Sequence, residues 1–161
     1  MQIEAFRLPR SREIPDVGLY LEQAVKYVNS FLSPLDIPVL TGSMIANYVK
    51  LRYLPAPHRK LYGAEQLASL LMVAICKQVL SMDNISRLLA LQRAAKPLMD
   101  AYDDFCSGME AEIAATFGLP APKTDPIERA DEGWQLMQGV MTAAARVIQV
   151  NSRFAALQSE G

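Results

Sequence analysis

Apolar residues recur every three or four positions along most of this chain, and that spacing predicts helices. Between 19 and 32 the apolar set is Leu21, Ala24, Val25, Val28, Phe31 and Leu32, with Asp16 as the expected N-cap and Ser33-Pro34 as the stop. An extended connector around Pro38 leads to Thr41, which is placed to cap a short helix over 42–52 with Met44, Ile45, Tyr48 and Val49 as its apolar set. Pro55 and Pro57 end that helix, and the basic stretch 57–62 reads as a tight hairpin or an extended strap. A broad apolar stripe from Leu67 to Val79 predicts a helix from 63 or 64 to about 80, and Ser81 opens the next one, with Ile85, Leu88, Leu89 and Leu91 as its buried face.

The last third of the chain continues the pattern. Leu98, Tyr102, Phe105, Met109, Ile113 and Phe117 lie on one helical face between Pro97, suited to a first helical position, and Gly118, suited to a left-handed stop. After a proline-rich break, Asp125-Pro126-Ile127-Glu128 has the form of a capped helix start. Ile127, Ala130, Trp134, Met137, Met141, Ala144 and Ile148 then carry a three-four alternation for about three heptads. Such a helix of roughly 30 residues would be about 45 Å long. A small domain seldom buries so long a stripe alone, so this helix is expected to supply or assist a homodimer contact. No segment alternates with period two, and the expected fold is all-α. The segments divide into an irregular arm over 1–18, a helical domain over 19–92 and a C-terminal helical region over 93–158.

Composition narrows the class. With 51% hydrophobic and 20% charged residues the chain is too apolar for a disordered one. No apolar run approaches the ~20 residues that span a bilayer, and residues 1–15 lack the apolar core of a secretory signal. The expectation is a cytoplasmic protein without a membrane partner. Cys76 and Cys106 lie within helical patterns, away from any metal-ligand spacing, and read as apolar residues. His58 is the only histidine, so there is no His-based catalytic pair and no metal set, and no cofactor is implied. Asp103, Asp104, Glu110 and Glu112 fall on the polar side of a helix rather than in a cleft, and the chain does not read as an enzyme.

Charge is the next distinction. The net charge is −1, yet no acidic residue stands between Asp36 and Glu65, a window that holds Lys50, Arg52, His58, Arg59 and Lys60. Over that window the residues read Leu40-Thr41-x-x-Met44-Ile45-x-x-Tyr48-Val49-Lys50-x-x-Tyr53-Leu54-Pro55, then Arg59-Lys60-Leu61-Tyr62, and later Leu80-Ser81-Met82-x-x-Ile85-x-x-Leu88-Leu89. This series over 41–90 resembles the MerR-type winged helix-turn-helix, with a shortened wing. It departs from that pattern at Arg52, where a glycine is usual, at Ala46, where a basic residue is usual, and in the long connector over 33–40. The wider segment 5–115, including Ile14-Pro15-Asp16-x-x-Leu19-Tyr20-x-x-Gln23, also resembles the bacterial domain of unknown function 1836 family, which carries no established activity.

The resemblance implies a DNA-binding transcriptional regulator acting as a homodimer. Helix 42–52 would enter the major groove, where Asn47 pairs with adenine and Ser43 reaches a base or a phosphate. Lys50, Arg52, Arg59 and Lys60 would neutralise phosphates, and Tyr62 would donate a hydrogen bond to one. The plainer reading of the same cations is a solvated surface. The rival function is a non-enzymatic protein-interaction module that uses a groove beside Tyr53-Leu54-Pro55.

Overall fold

The computed structural model describes residues 2–160. Six helices carry the fold: α1 (Leu21–Leu32), α2 (Gly42–Lys50), α3 (Ala64–Cys76), α4 (Met82–Ala95), α5 (Leu98–Phe117) and α6 (Glu132–Ser159). The molecule is all-helical, and among the described residues β structure is limited to two isolated antiparallel bridges, Leu19 with Tyr62 and His58 with Leu61.

α3 is the centre. Every residue from Leu67 to Cys76 is buried, so the expected stripe is in fact a helix covered all round by α1, α5 and α6. That is what a segment apolar on every face requires, and Ser69 is the one polar residue carried into the core with it. α3 stops at Cys76, short of the expected residue 80; tighter turns through Lys77–Leu80 lead to Ser81, whose hydroxyl accepts the Asn84 N–H at 3.2 Å and caps α4.

Several expected boundaries shift. Asp16 is not the cap of α1; Tyr20 occupies that position, and its N–H is taken by the Gln23 side chain at 2.9 Å. After Leu32 a 3₁₀ turn over Ser33–Leu35 carries the chain past Pro34 to Asp36, and Asn29 then pins Leu40 with two hydrogen bonds of 2.8 and 3.0 Å. In α4 the buried face is Ile85, Leu88, Leu89 and Gln92, whereas Leu91 is exposed. α6 begins at Glu132 instead of near Asp125, because the side chain of Asp131 accepts the Trp134 N–H and is itself held by Arg129.

The apolar stripe of α6 from Trp134 to Ile148 is buried within this one chain, against α5, α4 and α3. It is the core of the molecule, so it is unavailable as a seam between copies. The core also takes in the N-terminal arm. Leu8 is fully buried, the Tyr102 hydroxyl donates to the Pro9 carbonyl at 2.6 Å, and Glu110 accepts both the Leu8 N–H at 2.8 Å and a two-bonded contact from Arg10. Ser11 donates through its N–H and its hydroxyl to Asp103. One continuous hydrophobic cluster therefore runs from Leu8 through α1, α3 and α5 to Ile148.

Candidate functional site

α2 has the inward set its sequence predicts. Thr41 caps it by accepting the Met44 N–H at 3.1 Å, Ile45 and Tyr48 are buried, and Met44 and Val49 are half-buried. Ser43, Ala46, Asn47 and Lys50 are left exposed on the outer side. The helix ends at Lys50 rather than 52. The Arg52 N–H bonds the Val49 carbonyl at 3.1 Å and the Tyr53 N–H bonds the Tyr48 carbonyl at 2.9 Å. That pair of bonds is the Schellman ending, which needs a left-handed residue in the position Arg52 fills; its φ is +63°.

The basic stretch 57–62 forms a two-residue turn. His58 and Leu61 exchange backbone hydrogen bonds of 3.1 and 2.9 Å, and the residues between them, Arg59 and Lys60, have φ of +52° and +66°. Two consecutive left-handed residues make a type I′ turn, a geometry that favours Asn-Gly. A side chain in this region costs about 1–2 kcal/mol per residue. Among the described residues the only other non-glycine residue with positive φ is Asp36. Arg52, Arg59 and Lys60 are all exposed.

Tyr62 requires a correction. Its main chain pairs with Leu19 at 2.9 and 2.7 Å and its side chain is only 5% exposed, so the ring belongs to the core and is poorly placed for a phosphate. Burial raises its pKa. The turn and α2 meet the same end of α1: Leu61 packs on Gly18, just before α1, and Leu21 in the first turn of α1 packs on Gly42. In this way α1 fixes the basic turn relative to the start of α2.

The acid-free window of the sequence does not stay acid-free in space. Glu22 and Lys26 share an open groove with Leu21, Val25, Gly42 and Ser43. Asp83 of α4 accepts the Tyr53 hydroxyl at 3.4 Å beside the exit of α2. Lys77, just past the end of α3, adds a cation, donating to the Tyr48 hydroxyl at 2.7 Å. Sequence spacing along 37–64 carries no signal for any of these three contacts. At the expected groove beside Tyr53-Leu54-Pro55 the Leu54 side chain is buried and its two neighbours are half-buried.

Contrary to expectation Asp103, Asp104 and Glu110 line a cleft, together with Arg10 and Arg129, but each is bonded within it. Asp104 is bonded by Lys96 at 2.7 Å and Arg129 at 3.2 Å, which ties α5 to the segment before α6. Cys76 and Cys106 are free and buried, and burial pushes both thiols up to about 12, so they stay protonated. Among the described residues no three His, Cys, Asp or Glu side chains gather as metal ligands, and no helix is long and apolar enough to cross a membrane.

No curated protein and no solved structure matches the chain. The family described as "Domain of unknown function (DUF1836)" matches it over residues 9–105, a span from the N-terminal arm through α1–α4 into α5. That span is more than half of the sequence, and the chain belongs to the DUF1836 family.

Proposed function

We propose that this protein binds duplex DNA as a transcriptional regulator, using a MerR-like winged helix-turn-helix in which α2 is the recognition helix and the turn at Arg59-Lys60 is a minimal wing. The observation that carries the reading is the strain of the exposed cations. Arg52, Arg59 and Lys60 each hold a left-handed backbone that glycine would adopt freely. Strain of this kind persists where a side chain is needed for more than folding. Lys50, Arg52, Arg59 and Lys60 contact phosphates, while Ser43 and Asn47 on the outer side of α2 face base edges. Two copies reading paired half-sites give the affinity that one nine-residue helix lacks. The reading is non-enzymatic: Asp103, Asp104 and Glu110 are engaged in holding the arm and α6 in place.

Binding is tested by fluorescence anisotropy on duplexes from the protein's own upstream region and on unrelated duplexes, over a salt series. Four phosphate contacts give a log-log slope of about −3 to −4 per copy. Arg59→Ala with Lys60→Ala flattens that slope, and Asn47→Ala reduces the preference between duplexes. If wild type and variants bind every duplex equally weakly, the proposal fails.

A second reading, a docking site for a protein, draws on the groove between α1 and the start of α2. Leu21 and Val25 line it, and the neighbouring Tyr20 and Val39 are each 64% exposed. A protein held there by apolar contact shows little dependence on salt, in contrast to DNA.

A further inference from the structure

α6 carries two apolar stripes, and the fold uses one. The buried stripe, Trp134 to Ile148, faces the bundle. The second is offset by one residue, about 100° around the helix. It begins with Leu136, Val140 and Ala143 and continues with Val147, Val150, Phe154 and Leu157. The steps alternate strictly, four then three, for three heptads from 136 to 157. Val140, Ala143 and Val147 are half-buried at the edge of the bundle, whereas Leu136, Val150, Phe154 and Leu157 are 48%, 44%, 64% and 51% exposed.

We infer that this second stripe is the seam of a parallel two-stranded coiled coil formed with a second copy of this chain. Three observations select that occupant. First, the strict 3.5-residue period is the one two helices need to hold a common seam, and a surface helix packed on its own bundle has no reason to keep it twice. Second, α6 outruns its bundle. The Gln149 side chain makes a hydrogen bond to the Thr116 carbonyl at 3.0 Å, and none of residues 150–159 is buried. Those ten residues extend about 15 Å. That end of α6 lacks the apolar packing that supplies most helical stability in proteins.

Third, the flanking polar side chains fit a like copy in one orientation. With Val140, Val147 and Phe154 at a and Leu136, Ala143, Val150 and Leu157 at d, the g positions include Arg146 and Arg153 and the e positions include Asn151 and Gln158. A parallel pair sets Arg146 against Asn151 and Arg153 against Gln158 of the other copy, both able to hydrogen bond. An antiparallel pair brings the arginines of the two copies together. This seam stands independently of DNA binding, and it gives that function the two-fold pairing it calls for.

Sedimentation velocity on the full chain tests the seam. The wild type sediments as a dimer, and Phe154→Glu, a change at an exposed position, halves the mass while leaving the far-ultraviolet spectrum intact. Leu157→Cys cross-links through a disulfide on mild oxidation, with Cys76 and Cys106 too buried to compete. A monomeric wild type, or a dimer that Phe154→Glu leaves unchanged, overturns the seam. A dimer that Leu157→Cys fails to cross-link overturns its parallel orientation. A dimer that passes these tests yet ignores DNA refutes the functional proposal and leaves the seam standing.

Discussion

At Arg52 the side chain is held in a backbone conformation it does not favour, and no hydrogen bond of that side chain compensates for it among the described residues. The same holds for Lys60 in the turn. Replacing Arg52 with glycine removes the steric cost of the left-handed position, in part offset by the greater freedom of glycine in the unfolded chain. Arg52→Gly and Lys60→Gly are each expected to raise stability by up to about 1 kcal/mol in urea denaturation. Both are expected to weaken duplex binding in the same anisotropy assay. Opposite signs for stability and binding are the mark of a residue kept for contact; a variant that gains stability and keeps full affinity shows its cation to be a bystander.

At the scale of elements, caps and close approaches decide where helices begin and how they cross. The Asp131 carboxylate, paired with Arg129 and capping α6, has its pKa held below the usual carboxylate value, first by the Arg129 hydrogen bond. A depressed folded value contributes stability above the unfolded pKa and loses it as pH falls through the folded one. Asp131→Asn preserves a capping oxygen but abolishes this titration, so its thermal midpoint changes less than that of wild type on acidification below about pH 4. Within the same helix two glycines respond oppositely. A Cβ at Gly133 would lie 3.0 Å from the Leu91 Cβ and 3.3 Å from its backbone, whereas Gly139 has nothing within 4 Å. Gly133→Ala is expected to cost about 1–3 kcal/mol by forcing α4 and α6 apart. Gly139→Ala is expected to gain about 0.5–1 kcal/mol from helix propensity. Chemical denaturation of the two variants measures both.

Over the whole molecule, the arm is what closes the bundle. Leu8 fills the core, and Glu110, whose side chain is 13% exposed, satisfies the Leu8 N–H and the Arg10 guanidinium together. Glu110→Ala leaves a buried N–H and a partly buried cation unpaired, at an expected cost of about 2–3 kcal/mol. Limited trypsin digestion checks the mechanism: cleavage at Arg7, Arg10 or Arg12 should speed up before the rest of the bundle yields. Spacing along α5 carries no signal for these contacts, because the partners of Asp103 and Glu110 in the arm lie 92 to 102 residues away in the chain, beyond the reach of any local pattern.

What the sequence by itself determined is the helical content, the core faces of α1, α2 and α5, and the caps at Thr41 and Ser81, because periodicity and capping act within a few residues. The MerR-type resemblance also marked Arg52, where a glycine is usual, and the structure gives that residue a left-handed backbone. Tertiary structure alone decided the rest. Burial of Tyr62 follows from pairing with Leu19, and the placing of the segment before α6 from the Arg129–Asp104 ion pair with α5. The acids near the basic window arrive from α1 and α4. Most of all, the two stripes of α6 are equally apolar in sequence; only the packing of α5, α4 and α3 against one of them decides which is core and which is left for a partner, since burial is a property of neighbours and not of the helix.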